Sequence, residues 1–251
     1  MTPFPGASAH QSRGQAGRRS APVRHGALGR RFFSPELVPG VADRPLVAVL
    51  DYGIGNLRSA QKALEKVGAD ARLTADPRLI AEATGIVLPG VGAFGRCMEA
   101  LDEAGLSDVA HRAAVAAIAA EGPPFLGVCV GMQMLFEGSD ESPGVTGLGV
   151  LGGQNRLIPD GVKRPQMQWN VLDWTKPNPL SAGQPDPAWV YFVHSYWAVV
   201  TDPADVVATC DYGVAVTAAV QRGRLWATQF HPEKSATNGL RLLETFVATC
   251  S

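Results

Sequence analysis

The stretch Leu46-Val47-Ala48-Val49-Leu50-Asp51-Tyr52-Gly53-Ile54-Gly55-Asn56 decides the fold class. Its opening run is short, unbroken and apolar, the pattern of a strand buried on both faces. Asp51 to Asn56 supply turn residues. Leu57, Ala60, Leu64 and Val67 then follow at helical spacing, and Gly68 stops the helix. The unit recurs downstream. Gly85-Ile86-Val87-Leu88 runs to Pro89-Gly90, after which Phe94, Met98 and Leu101 line one helix face; Phe125 to Val128 leads into Gly131-Met132. Strand, glycine turn and helix in alternation predict a parallel sheet with helices on both faces.

After about Gly152 the pattern changes. Segments around Arg156-Leu157-Ile158, Val190 to Trp197, Val206 to Thr209, Val214 to Val220 and Leu225 to Phe230 are strand-like, with Val220 to Arg224 as a hairpin loop. Pro177 to Pro187 reads as a surface loop. A final helix carries Leu240, Leu243 and Val247 on one side. The expectation is one mixed α/β domain over residues 45–251, its sheet mostly parallel at first and antiparallel later.

Residues 1–44 are of another kind. Arg13, Arg18, Arg19, Arg24, Arg30 and Arg31 precede the first acid, Glu36, among Gly, Ser, Pro and Ala. No periodic apolar pattern offsets the cost of ordering such a segment, so it reads as a disordered or organelle-targeting extension. In the whole chain of 251 residues, 22 basic side chains face 23 acidic ones. That balance gives no reason to expect nucleic acid or an anionic membrane as partner. No apolar run approaches the roughly 18 residues of a membrane span. The four cysteines, Cys97, Cys129, Cys210 and Cys250, show neither CxxC pairing nor the density of a disulfide scaffold, so a reduced, cytosolic setting is expected.

The chemistry concentrates at Gly127-Val128-Cys129-Val130-Gly131. A cysteine at a strand-to-helix turn, with glycines two residues to either side, has the form of a nucleophile elbow. The N-terminus of the following helix would favour thiolate. A lone cysteine is more often a small buried hydrophobe, and for the other three that reading stands. Such a nucleophile needs a base and the base needs orienting. His231 at the carboxyl end of the last strand, with Glu233 two residues on, meets both needs; His10, His25 and His111 do not compete. Pro89-Gly90-Val91-Gly92 ends a strand on the same sheet edge, so backbone donors there, with that of Val130, could face a developing oxyanion.

Gly127 to Gly131 with Met132-Gln133, and His231-Pro232-Glu233 far downstream, resemble class I (triad) glutamine amidotransferases. Within them, Asp51 to Leu57, Pro89 to Phe94, Tyr191-Phe192-Val193-His194-Ser195-Tyr196 and His231 to Ser235 resemble the glutaminase branch that serves imidazole glycerol phosphate synthesis in histidine biosynthesis. The likeness spans residue 46 to the C-terminus. It implies that Cys129 attacks the side-chain amide of glutamine, with His231 as base and then acid, and Glu233 orienting it. It implies that Gly90 and Val91 form the oxyanion strand, after a peptide flip that neighbouring glycines ease. Gln133 and the backbone of His194, Ser195 and Tyr196 would hold the amino-acid end of glutamine.

The same resemblance implies that ammonia passes to a separate (β/α)8-barrel synthase subunit in a heterodimer, with Asn56, Trp169, Asn170, Tyr191 and Lys234 at or near the interface. No cofactor or metal is implied. The family usually reads His-Met-Gly-Trp-Asn where this chain has Gln166-Met167-Gln168-Trp169-Asn170, which adds bulk near the expected interface. Two other readings remain: an amidotransferase subunit of another pathway, and a catalytically inactive binding module of the same fold.

Overall fold

The computed structural model describes residues 44–250; the extension expected over 1–44, with His10 and His25, lies outside them save for Arg44. The first unit forms as its pattern dictates. Strand β1 (Leu46–Leu50) is buried beyond its first residue, and helix α1 (Leu57–Lys66) buries Leu57, Ala60, Ala63 and Leu64 along one face. Gly68 takes a positive φ of 101°, which releases the chain from the helix. Strand β2 (Asp70–Thr74) and helix α2 (Pro77–Glu82) follow, the latter capped by the Asp76 carboxylate. Neither was expected from the sequence. Only Ala71 and Thr74 of β2 are buried, because it is an edge strand, and its charged residues mask the pattern.

Strand β3 (Gly85–Gly90), helices α3 (Phe94–Glu103) and α4 (Ser107–Ile118), strand β4 (Phe125–Cys129) and helix α5 (Val130–Gln133) complete the parallel part. The short β5 (Gly138–Ser139) and β6 (Gly153–Leu157) come next. They are followed by β7 (Gln166–Trp174), β8 (Ala188–His194), β9 (Tyr196–Val200), β10 (Val206–Asp211), β11 (Ala215–Arg222), β12 (Leu225–Thr228) and helix α6 (Ala236–Ala248).

Among the described residues, nine strands form one sheet in the order β2-β1-β3-β4-β12-β11-β10-β7-β8. The five from β2 to β12 run parallel and the rest pair antiparallel, as the change of pattern predicted. A second sheet, β5-β6-β9, stands apart from it. Val190 to Trp197 is therefore two strands, not one. The chain leaves the large sheet at Ser195 and enters the small one at Tyr196. Helix α1 packs on α6, and α3 on α4. In α6 the buried face is Leu242, Leu243, Phe246 and Val247, with Leu240 at its margin.

Phe94, Phe125, Phe136, Phe192, Phe230 and Phe246 are fully buried, each worth roughly 1.5–3 kcal/mol of transfer free energy. The consequence for function is positional. β4 lies between β3 and β12, so the carboxyl ends of these three parallel strands converge on one edge. Among the described residues no helix is long and apolar enough to cross a membrane.

Candidate active site

Cys129 closes β4 in a conformation that few side-chain-bearing residues adopt, φ 56° and ψ −113°. Such a backbone costs on the order of 1–3 kcal/mol and persists only when its surroundings enforce it. The enforcement is close packing. A Cβ on Gly131 would lie 1.9 Å from the Leu88 carbonyl oxygen, and one on Gly90 would lie 2.6 Å from the Gly131 nitrogen. The elbow is thus pressed against the end of β3, and Gly90 pairs in register with Cys129. Gly131→Ala is accordingly expected to destabilise the chain by about 2–4 kcal/mol and to lower turnover at least tenfold, because β3 must retreat from the sulfur. Denaturant melts and steady-state rates check both.

The helix expected after the elbow is short. α5 is a single turn, so its dipole gives the sulfur little help and the imidazole must give more.

That imidazole arrives from the neighbouring strand. Past β12 the chain turns at His231, whose N–H donates to the Tyr191 carbonyl at 3.1 Å. The Ser235 hydroxyl donates to the His231 carbonyl at 2.7 Å and accepts from the Tyr191 N–H at 2.9 Å, tying the turn to β8. Glu233 Oε1 lies 2.8 Å from His231 Nδ1, and the ring is in hydrogen-bonding contact with the Cys129 sulfur. Burial disfavours the charged ring, but the contacts with Cys129 and Glu233 outweigh it and raise its pKa to about 9. Near neutral pH the proton therefore sits on His231.

Behind the sulfur lies a buried amide pair. Gln229 Nε2 approaches Cys129 Sγ at 3.8 Å, while its Oε1 accepts from Gln133 Nε2 at 3.0 Å. Gln133 Nε2 also donates to the Tyr196 carbonyl at 2.8 Å, so that nitrogen is already engaged within the protein. His194 Nδ1 meets the same Tyr196 carbonyl at 2.9 Å, and its Nε2 is buried without a partner. Burial pushes the His194 pKa down to about 4, against that hydrogen bond, so the ring is neutral. Gln133 and His194, distant from one another in sequence, thus converge on the Tyr196 carbonyl.

A model of the family "Glutamine amidotransferase class-I" matches residues 48–250. The subunit "Imidazole glycerol phosphate synthase subunit HisH" of Methylococcus capsulatus is 47% identical over 212 residues, covering 80% of this chain and 95% of that one. The protein of the same name from Moorella thermoacetica is 43% identical, over 80% and 93%. The chain belongs to the class I glutamine amidotransferase family, in its HisH branch.

Solved structures agree on the fold. A "glutamine amidotransferase" crystal structure superposes with a TM-score of 0.63 at 20% identity, covering 81% of this chain and 98% of that one. PurLQS from Thermotoga maritima gives 0.61 at 18%, over 82% and 98%.

The remaining residues of this amidotransferase divide by exposure. Trp169 is 45% exposed, so it is not core; it meets Tyr191 edge-to-face at 6.0 Å across β7 and β8. Met167 and Trp189, on the same two strands, are also exposed, and Lys234 is exposed in the turn after His231. Asn56 begins α1 and accepts from the Ser59 hydroxyl. Asn170 is spent internally: it donates to the Asp211 carbonyl and accepts from the Val171 N–H. Of the two departures from the family pattern, Gln166 is fully buried against Cys210, whereas Gln168 is exposed on β7. Cys97, Cys210 and Cys250 are buried, and burial raises each thiol pKa, which suits inert packing. Among the described residues no cluster of His, Cys, Asp and Glu could hold a metal ion.

Sequence reasoning missed Gln229 and Ser235. Gln229 stands just before His231 and Ser235 at the end of the His231 to Ser235 motif, but their partners come from β4, α5 and β8, which no local pattern reveals.

Proposed function

We propose that this chain is a glutaminase subunit that hydrolyses glutamine to glutamate and passes ammonia to a separate (β/α)8-barrel synthase subunit of histidine biosynthesis. The barrel would use the ammonia to make imidazole glycerol phosphate and aminoimidazole carboxamide ribotide. The observation that carries the reading is the contact chain from Cys129 through His231 to Glu233 at the strained elbow. The names of the relatives support the pathway.

The sulfur of Cys129 attacks the side-chain amide carbon of glutamine while His231 keeps the proton it holds near neutral pH. Glu233 holds the ring in the tautomer that faces the sulfur and balances its charge. The tetrahedral oxyanion is met by backbone donors of the Gly90–Val91 strand and of Val130. His231 then gives its proton to the departing nitrogen, which leaves as ammonia with a glutamyl thioester behind. Water, with the now neutral His231 as base, cleaves the thioester to glutamate, which frees the sulfur and returns the proton to the ring. Gln133 and the chain from His194 to Tyr196 hold the amino-acid end of glutamine. The band of exposed Trp169 and half-buried Tyr191, with Lys234 and Asn56, faces the barrel; aromatic anchors of this kind suit a docking surface.

Cys129 and His231 are only 3% and 2% exposed, so the isolated chain is closed over its chemistry. Glutamate release by the isolated chain is therefore expected to be slow, and to rise about a hundredfold or more with the barrel and its nucleotide ligand, the scale of one oxyanion donor brought into place. A fast rate without the partner would contradict the coupling. No turnover even with the partner would replace the enzyme by an inactive binding module.

A further inference from the structure

Beneath the strand that faces the sulfur lie two buried polar side chains that the triad does not use. Tyr52, in the turn after β1, is 4% exposed, and its hydroxyl donates to the Pro89 carbonyl at 2.6 Å. Cys97, in the first turns of α3, is fully buried, and its thiol donates to the Val91 carbonyl at 3.4 Å. The two side chains also touch one another. A phenol buried this deeply needs a hydrogen-bond partner, and this one spends its bond on a backbone carbonyl 37 residues away.

The choice of carbonyls matters because a peptide unit is planar. Each carbonyl turns together with the N–H of the next residue. Fixing the Pro89 carbonyl fixes the Gly90 N–H, and fixing the Val91 carbonyl fixes the Gly92 N–H. Between these two units stands the Gly90–Val91 peptide, which carries the Val91 N–H. Gly90 has no side chain to resist rotation, and Gly92 already sits at φ 95°. The segment is soft in its backbone but held at the units on either side.

We propose that Tyr52 and Cys97 are positioning residues that pin the peptides flanking Gly90–Val91 and confine reorientation of the oxyanion strand to that single unit. This rests on the reading of Gly90 and Val91 as the oxyanion strand. Without the pins the strand would sample several arrangements, and the donor would be correctly placed for only a fraction of the time. The loss falls on the step that develops negative oxygen, not on glutamine binding or on the nucleophile.

The test uses the complete chain assembled with its barrel partner. Tyr52→Phe, which is nearly isosteric, is expected to lower kcat for glutamine about ten- to a hundredfold, short of the full loss of a donor. The KM for glutamine and the rate of Cys129 alkylation by iodoacetamide stay within about twofold. Cys97→Ala lowers kcat by a smaller factor because a thiol is a weak donor, and Cys97→Ser, which keeps a donor, restores it. A Tyr52→Phe enzyme with kcat within twofold of wild type overturns the proposal. So does a parallel loss of alkylation rate or a matching rise in KM, which would mark general loosening of the elbow. If the wild-type complex itself releases no glutamate, the glutaminase reading fails and the pins fail with it; an active wild type with an unaffected Tyr52→Phe removes the pins alone.

Discussion

Cys129→Ala removes glutamine-dependent turnover, with a loss of at least about 10⁴-fold, the scale on which deleting a nucleophile acts. Synthesis by the barrel from added ammonium salts continues, because that reaction needs ammonia and not its source. No other thiol replaces the lost one. Cys97 is fully buried with its pKa raised and its S–H bonded to the Val91 carbonyl, and Cys210 and Cys250 are buried as well. The substitution leaves the elbow's backbone unchanged in kind, since Ala carries the same steric penalty at φ 56° that Cys does. Glutamate release and ammonia-dependent synthesis are measured on the same preparation. Retained use of glutamine would mean that the nucleophile lies elsewhere.

Glu233→Gln is expected to lower glutamine-dependent kcat by about 10²–10⁴-fold, the upper end being that of a triad acid made neutral. Nδ1 of His231 would lose the carboxylate 2.8 Å away that fixes its tautomer. The substitution also has a signature in stability. The folded-state pKa of His231 is about 9, above its ordinary value of 6.5, so its contribution is fully present below pH 6.5 and is lost as pH rises through about 9. That contribution is roughly 3.5 kcal/mol at most, at about 1.4 kcal/mol per pKa unit. With the carboxylate gone the pKa falls, and both the size of the contribution and the pH of its loss come down. Urea melts of wild type and variant between pH 6 and pH 10, conditions chosen to bracket these values, distinguish the two. Identical pH dependence would show that Glu233 does not hold the proton on the ring.

The parallel half of the fold was legible because it is written in unbroken apolar runs. β1, β3 and β4 are buried on both faces, so burial does not depend on reading an alternation correctly. β2 and β7 escaped for the opposite reason. β2 is an edge strand with charges at Asp70 and Arg72, and β7 exposes Met167, Gln168 and Trp169. The break at Ser195 was invisible because strand propensity is equally high in β8 and β9; only the pairing of β9 with β6 tells them apart. At the site, the residues around the sulfur were legible where glycine spacing or a short motif constrained them. The contacts of Gln133 with Gln229, 96 residues apart, and of Tyr52 with Pro89 arise from tertiary packing, which leaves no trace in local order.

The near-complete enclosure of the Cys129 sulfur has a consequence for its lifetime. Peroxide and disulfides act on thiols that are both ionised and reachable, and the first oxidation product is reversible while the later ones are not. A sulfur covered by its own fold escapes that damage while the subunit waits unassembled. Exposure to oxidants is then concentrated in the working complex, where the path that admits glutamine admits small reagents as well.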